Sequence, residues 1–263
     1  MKYVTLLALT IIVFLFYKLL TDQSSKTRPI LWKITGKSPC YLLASLHYGI
    51  KKNHIHNVVW EKMRTCQTIV FENNNNEDFA TKTDTSLQEH LGKEYWNKVK
   101  LCFAPNVLAK VEYLEIWLLG VLLVYRTYPE GEGVEAIITK NSKQRIVGLE
   151  DKQDLLVRLR NFFTLEVVKN ILDTNFEQDD SNIVALYKSG DLSGLNDYFD
   201  TLDEYYKQLL ISERNYNWMP VLENIIKQGN AFIVVGAFHL LGEEGLICLL
   251  REKGYTVTRY KVS

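Results

Sequence analysis

Four short apolar runs in this chain each end in an ionisable residue, and this pattern constrains the fold more than any other feature. The runs are YLLASL before His47, TIVF before Glu72, RIVGL before Glu150 and FIVVGAF before His239. Segments with helical periodicity separate them, and strands that alternate with helices are typical of α/β proteins. The sequence therefore predicts a mixed, largely parallel central sheet flanked by helices, with a helical insertion or cap.

The other elements follow from periodicity and from turn residues. Two apolar segments flank GKSP and predict a hairpin whose second arm ends at His47. Further strands are expected over 68–72, 145–150, 231–239 and 255–260. Helices are expected over 57–66, 84–127, 151–173, 180–189, 193–210 and 212–228, with shorter ones ending at 140 and 254. One domain should therefore span 30–263, with helical insertions at about 84–127 and 151–228.

The first twenty residues are predicted to contact a membrane. Residues 3–17 carry no charge, and a helix over 3–20 would extend about 27 Å, close to the thickness of a hydrocarbon core. We predict a single-pass anchor over 1–20 and a linker over 21–29, with the body on the exported side. The alternative is a cleaved signal peptide and secretion, although Ser24 and Ser25 offer only a poor cleavage site. The apolar stretch 107–125 is instead interpreted as a buried helix, because Lys110, Glu112 and Glu115 interrupt it.

Charge and cysteine content exclude several classes of protein. The 31 basic and 31 acidic residues cancel, and no basic stripe with interleaved aromatic residues indicates a nucleic-acid binder. The four cysteines (Cys40, Cys66, Cys102 and Cys248) show no CxxC pair, which argues against a zinc ribbon or a disulfide scaffold. Cys40, Cys66 and Cys248 lie in apolar periodic segments and are expected to be buried free thiols. The alternative, if the body is exported, is that one disulfide forms.

The strand-end residues suggest a common site. The carboxyl ends of parallel strands meet at one edge of a sheet, where open α/β folds bind their ligands. Two histidines with one or two carboxylates suit zinc, manganese, cobalt or iron, and three protein ligands leave a position open for water. The same groups could also perform acid–base chemistry without a metal, or form a buried polar network. The other histidines, His54, His56 and His90, are interpreted as loop or surface residues.

Six motifs together resemble a known family. LLASLHYG, VFE, GVEAII, IVGLE, ERNYNW and VVGAFHLLGEEGLICLLREKGYTV stand in the order and spacing of the TraB/GumN proteins, which are relatives of the Tiki metalloproteases. The resemblance covers about residues 30 to 260. It implies a fold similar to that of the erythromycin esterase and ChaN proteins, with two Gly-x-x-His motifs and a strand-end glutamate in a metal-dependent centre.

The resemblance also implies roles for individual residues. A divalent metal ion (manganese, cobalt or zinc) is expected at His47, Glu72 and His239, and catalytic roles are expected for Glu72, Glu150 and Arg214. Substrate binding is expected from Arg214, Asn215 and Glu135. Independently of the resemblance, Tyr48 is expected to bind substrate as well, because it stands beside His47 and carries a hydrogen-bond donor. Three positions depart from the family pattern: Ala44 replaces a glycine, Ser45 a threonine and Glu135 an aspartate.

These expectations lead to three functional hypotheses. The first is a membrane-anchored, exported metal-dependent hydrolase, with peptidase as the favoured activity and a peptide or a small molecule as the substrate. The second is a binding protein that captures such a ligand without turnover, similar to the pheromone-shutdown relatives. The third is a haem- or iron-binding protein. No nucleic-acid partner is expected, and the sequence does not indicate an oligomeric state.

Overall fold

The structure is a computed structural model that describes residues 28–73, 83–126, 130–174 and 181–260. Its strands are β1 (Leu31–Thr35), β2 (Cys40–Ser45), β3 (Thr68–Asn73), β4 (Arg145–Glu150), β5 (Ala231–Gly236) and β6 (Thr256–Arg259). They form one sheet in the order β4-β3-β5-β2-β1-β6. The pairs β3–β4, β3–β5 and β2–β5 are parallel, whereas β1 is antiparallel to β2 and β6. The predicted α/β fold with a mixed, largely parallel sheet is confirmed.

Helices flank this sheet and fill the connections between its strands. Those of the described residues are α1 (Asn57–Arg64), α2 (Leu87–Cys102), α3 (Pro105–Val111), α4 (Ile116–Tyr125), α5 (Val134–Asn141), α6 (Lys152–Phe162), α7 (Leu165–Asp173), α8 (Ser181–Ser189), α9 (Leu192–Asp200), α10 (Glu204–Lys207), α11 (Glu213–Gln228) and α12 (Leu246–Glu252). Short 3-10 turns cover Lys52–His54 and Ala237–Leu240, and a π-helical turn covers Gln208–Ser212.

The hairpin and the central strands form where the sequence places them. Ile34 pairs with Cys40 across the GKSP turn, so the predicted hairpin between β1 and β2 is confirmed. Every residue of β2 and β5 is buried. A parallel strand covered by helices on both faces has no solvent-facing side, which explains why these strands read as continuous apolar runs.

The strand predicted over 231–239 is three residues too long. The strand ends at Gly236, and a 3-10 turn carries Ala237 to Leu240. The backbone N–H of Gly236 donates to the Glu72 carboxylate at 2.7 Å. At this residue the backbone N–H therefore bonds to a side chain instead of to a neighbouring strand. His239 therefore lies in the turn that follows the strand.

Three long predicted helices are broken in the structure. The 84–127 span contains α2, α3 and α4, and its break at 112–115 is stabilised because the Glu112 and Tyr113 carbonyls accept hydrogen bonds from the backbone N–H groups of Leu87 and Thr83. The 151–173 span divides into α6 and α7, where the Thr164 hydroxyl caps α7. The 193–210 span divides at 201–203, where Asp203 caps α10.

The buried apolar residues form two clusters. One surrounds the sheet, and the other lies among the helices of residues 87–172. The second cluster buries Trp117, Leu119 and Leu123 of α4, which agrees with the interpretation of this stretch as a buried helix. Within the described ranges, no helix combines the length and apolar character needed to cross a bilayer. The predicted anchor and linker up to residue 27 lie outside those ranges, and the domain boundaries stay a prediction.

The cysteines are free thiols. Cys40 and Cys66 are buried, and Cys102 and Cys248 are half-buried. Burial raises the pKa of the Cys66 thiol to about 11, so this group is a thiol at neutral pH. The interpretation of Cys40 and Cys66 as buried free thiols is confirmed, whereas Cys248, for which the same was expected, is a free thiol that is only half-buried.

Candidate functional site

The parallel strands bring three of the predicted residues to one edge of the sheet. His47 follows the end of β2, Glu72 lies near the end of β3, and His239 lies in the turn after β5. Since β5 stands between β2 and β3, Glu72 faces both imidazoles. Its Oε1 atom lies 4.0 Å from the Nε2 atom of His47 and 3.7 Å from the Nε2 atom of His239.

Glu72 is a buried carboxylate held by two donors. The N–H of Gly236 donates to Oε1 at 2.7 Å, and the Arg214 guanidinium donates to Oε2 at 2.6 Å. Burial acts to raise the pKa of the Glu72 carboxyl, but the charge of Arg214, together with His47 and the Gly236 N–H, outweighs it. The pKa is therefore held well below its usual range, and Glu72 is ionised at neutral pH.

His47 lies between two carboxylates and is partly open to solvent. Its Nδ1 atom lies 3.2 Å from Oε1 of Glu135, and its side chain is 47% exposed. The Ser45 hydroxyl donates to the same Glu135 oxygen. The negative charge of Glu135 is the main cause that raises the pKa of His47 to about 9, against the opposing effect of burial.

His239 is buried, and Asn215 fixes which of its nitrogens carries the proton. The Asn215 amide nitrogen donates to the carbonyls of His239 and Glu244, so its Oδ1 atom faces the Nδ1 atom of His239 at 2.8 Å. An amide oxygen can only accept, so Nδ1 carries the hydrogen and Nε2 keeps its lone pair. Burial is the main cause that lowers the pKa of His239 to about 3, so the ring is neutral.

Arg214 contacts Glu72, Glu150 and His239 at the same time. Its Nε atom donates to the Glu150 carboxylate at 3.1 and 3.2 Å, and Nη2 donates to Glu150 and Glu72, each at 2.6 Å. Its Nη1 atom donates to the Leu210 carbonyl at 3.0 Å and lies 3.1 Å from Nε2 of His239. A guanidinium has five N–H donors, and these contacts use all of them.

Local sequence explains how Arg214 reaches this position. The π-helical turn Gln208–Ser212 immediately precedes α11 and supplies the Leu210 carbonyl; such turns insert one residue and rotate the side chains that follow. Trp218 lies one helical turn after Arg214, stacks on its guanidinium at 4.7 Å, and donates its indole N–H to Glu150 at 3.0 Å. Trp218 also packs on the His239 ring at 4.4 Å.

The ligand atoms that lie closest together belong to His47, Glu72 and Glu135. One donor atom from each lies within 4.8 Å of the other two. Imidazole nitrogen and carboxylate oxygen suit a divalent transition metal. The neighbouring backbone also leaves room, because a Cβ atom on Gly236 would lie 3.2 Å from Oε1 of Glu72 and 3.4 Å from Nε2 of His47. The residues present therefore fit a divalent ion.

This cluster differs in one member from the set expected from the sequence. Glu135, expected to bind substrate, joins His47 and Glu72, whereas Nε2 of His239 approaches Glu72 and Arg214. Glu150 contacts Arg214 and Trp218, and Asn215 is fully buried against His239. Tyr48 is half-buried and packs against the sheet core. The catalytic, metal and substrate roles of these residues stay predictions.

Sequence reasoning assigned no contact to three residues at or beside this site. Ser45 binds Glu135, Trp218 binds Glu150, and Asn73 has a buried side-chain oxygen without a hydrogen-bond partner in the described part of the chain. The spacing of Trp218 four residues after Arg214 places both on one helix face and was a usable signal. Ser45 stands two residues before His47, but strand periodicity alone does not reveal a contact with a distant glutamate.

Two histidines, three glutamates and a buried arginine lie together at the carboxyl ends of the parallel strands. The chain is therefore an α/β protein with a polar, metal-compatible centre. The model of the TraB/PrgY/gumN family matches residues 30–259, so the chain belongs to this family. Among curated proteins and solved structures, none matches the chain significantly.

Proposed function

We propose that this chain is a divalent-metal-dependent hydrolase that acts on peptides. The observation that carries the proposal is the convergence of His47, Glu72 and Glu135, whose ligand atoms lie within 4.8 Å of one another at the edge of the sheet. A divalent ion bound there would acidify water and polarise a carbonyl group. The peptide substrate is taken from the resemblance to the Tiki metalloproteases.

In this proposal, His47 and Glu72 are the two constant metal ligands. Their atoms Nε2 and Oε1 face each other, and Gly236 supplies both an N–H to Glu72 and the space that a side chain would fill. Either Glu135 or His239 completes the set. If His239 binds through Nε2, that atom must first give up its contact with Nη1 of Arg214. Asn215 and Glu135 would then support the Nδ1 atoms of the two histidines from outside, an arrangement common around metal-bound imidazoles.

The buried arginine has a positioning role in this scheme. Arg214 has no N–H left for a substrate carboxylate or an oxyanion, because Glu72, Glu150, Leu210 and His239 occupy all five. It keeps Glu72 ionised and fixes its direction. Because its pKa is held so low, Glu72 is a weak base and is better suited to bind a metal than to abstract a proton.

Metal binding and peptide cleavage test the proposal together. The full chain, stripped with chelator, is titrated with Mn²⁺, Co²⁺ and Zn²⁺, and cleavage of a mixed peptide library is followed by mass spectrometry. We expect one bound ion per chain and metal-dependent cleavage, both lost in His47→Ala and Glu72→Gln. His90→Ala is the matched control, because His90 is exposed on α2. A chain that binds no ion, or cleaves equally well after His47→Ala, contradicts the proposal.

A second candidate function, capture of a peptide without turnover, has its own support. Ala44 and Glu135 stand where the family pattern has a glycine and an aspartate, and Glu135 is itself a member of the metal-compatible cluster. A motif that has departed in this way can persist after catalysis is lost. Saturable peptide binding that survives chelation and yields no product would favour this function. A Soret band on titration with haemin would instead favour the haem-binding hypothesis.

We also propose that residues 3–20 anchor the protein and that the body lies on the exported side. The support is the uncharged apolar run of residues 3–17. Protease protection in sealed membrane vesicles, together with the mass of the mature N-terminus, distinguishes this arrangement from a cleaved signal peptide.

A further inference from the structure

A cluster of basic side chains surrounds the point where the described chain begins. The Arg28 backbone N–H donates to the Lys188 carbonyl at 2.8 Å, which fixes this point beside the end of α8. Tyr187 bonds to the Ala44 carbonyl at 2.8 Å, so the same end of α8 is held against β2 and near the loop that follows it. That loop carries Lys51 and Lys52. We call Arg28, Lys51, Lys52 and Lys188 the basic surface.

The basic surface has little neutralising charge. Within the described part of the chain, no acidic side chain forms an ion pair with Lys51 or Lys188. Glu132 pairs with Lys140 at 2.6 Å, and Asp191 caps α9. After burial, repulsion from Lys51 is the next cause that lowers the pKa of Lys188. The chain as a whole has no net charge, so this positive region is a local feature.

The cavity beside this surface is separate from the candidate site. It has a volume of about 440 Å³ and is lined by Ile50, Lys51, Lys52, Gly131 and Glu132, and by Ile137, Lys140 and Asn141 of α5. Glu132, the acidic residue of this lining, pairs with Lys140. At 3.6 residues per turn, these α5 residues lie about 140° to 240° around the helix from Glu135, which faces His47. The lysines therefore stand on the opposite side of α5 from the cluster of His47, Glu72 and Glu135, which argues against a substrate subsite.

The length of the preceding chain identifies the partner. If residues 3–20 span a membrane, only residues 21–27 separate the membrane surface from Arg28, and a chain of this length reaches at most about 25 Å. These residues include another cation, Lys26. Fixed cations held this close to a surface interact with anionic lipid headgroups once they come within a Debye length, about 8 Å.

We propose that the basic surface of Arg28, Lys51, Lys52 and Lys188 docks the body onto anionic lipid headgroups beside its own anchor. The body is then held in one orientation instead of rotating freely on its linker. Each lysine near an anionic surface strengthens such docking by about fivefold. This inference requires the proposed anchor but is independent of metal binding and hydrolysis.

Lysine footprinting of the full chain tests the docking. The protein is reconstituted into phosphatidylcholine vesicles with or without about 30% phosphatidylglycerol. Its lysines are then acetylated with a membrane-impermeant reagent. We expect Lys51, Lys52 and Lys188 to react at least about threefold more slowly on the anionic vesicles, and high salt to restore the rate. Lys93 and Lys100, exposed on α2, should react equally on both.

Variants and alternative ligands complete the test. Lys51→Glu combined with Lys52→Glu should abolish the protection of Lys188, whereas Lys93→Glu combined with Lys100→Glu should leave it unchanged; an unchanged melting temperature shows that both variants fold. Equal reaction rates on the two vesicles overturn the proposal. So does equal protection by inorganic phosphate in detergent, which would indicate a soluble anion. Failure of the chain to float with vesicles removes the anchor and the docking, but not the metal centre.

Discussion

Replacement of Arg214 by methionine should destabilise the metal-free protein strongly. Methionine fills a similar volume but removes the only guanidinium that contacts both Glu72 and Glu150 in the described structure. The three side chains are 7%, 10% and 7% exposed. Removal of one partner from a buried ion pair costs about 3–5 kcal/mol, and a domain of this size loses about 2–4 °C of melting temperature per kcal/mol. We therefore expect a decrease of about 6–20 °C.

The effect should depend on pH with a defined sign. In the parent protein, the depressed pKa of Glu72 contributes stability that is present above the usual carboxyl range and is lost as pH falls through the folded-state pKa. Without Arg214, burial is the dominant influence and raises the pKa of Glu72, so the carboxylate can take up a proton. The destabilisation should consequently be smaller at pH 5 than at pH 8, and Arg214→Met combined with Glu72→Gln should be more stable than Arg214→Met alone.

Urea unfolding of the chelated protein, followed by circular dichroism at pH 5 and pH 8, measures these differences. Arg160→Met is the matched control: Arg160 makes a two-pronged pair with Glu115, but at 41% and 22% exposure, where such a pair contributes at most about 1 kcal/mol. If Arg214→Met costs no more than Arg160→Met, or costs the same at both pH values, the buried network does not have the electrostatic role assigned to it.

Three further predictions concern the residues around Glu72. In the metal-free protein, NMR titration should give His47 a pKa of about 9, and Glu135→Gln should lower that pKa. The stability contributed by the His47–Glu135 pair is complete below pH 6.5 and is lost as pH rises through 9. An unchanged pKa in the variant would exclude Glu135 as the cause. Gly236→Ala should reduce metal affinity at least about tenfold, because its Cβ would lie 3.2 Å from Glu72 Oε1, whereas Gly36→Ala, with its nearest contact at 3.4 Å, should not; equal affinities would place the ion elsewhere. Nitrogen NMR should show a proton on Nδ1 of His239, and Asn215→Leu should destabilise the fold by about 1–3 kcal/mol through the unpaired N–H; a proton on Nε2 would contradict the assigned tautomer.

The sequence predicted the edge of the sheet better than the side-chain network behind it. Parallel strands force His47, Glu72 and the turn with His239 to one edge, and that consequence of topology is readable from the apolar runs that precede each residue. The role of Arg214 was not readable in the same way. Its position depends on a π-helical turn at Gln208–Ser212, and a one-residue shift of the apolar pattern is not distinguishable from the ordinary irregularity of an amphipathic helix.

Long helices were also predicted where the structure has breaks. Thr164 and Asp203 are ordinary residues within an amphipathic pattern, and only their hydrogen bonds to Val167 and Tyr206 show that they begin new helices. The exchange of Glu135 for His239 in the tightest donor cluster has a similar origin. Which imidazole faces which carboxylate depends on ring orientation, and Asn215 and Ser45 determine this through contacts between residues far apart in the chain.

The central location of β5 has a consequence for how the chain is synthesised. This strand comes later in the chain than β2, β3 and β4, yet it inserts between β2 and β3 and pairs with both. Until residues 231–236 leave the ribosome, the edges of β2 and β3 that pair with β5 have no hydrogen-bonding partner. Unpaired strand edges are prone to aggregation. A nascent or truncated chain that lacks this last portion is therefore expected to depend on chaperones or to be degraded.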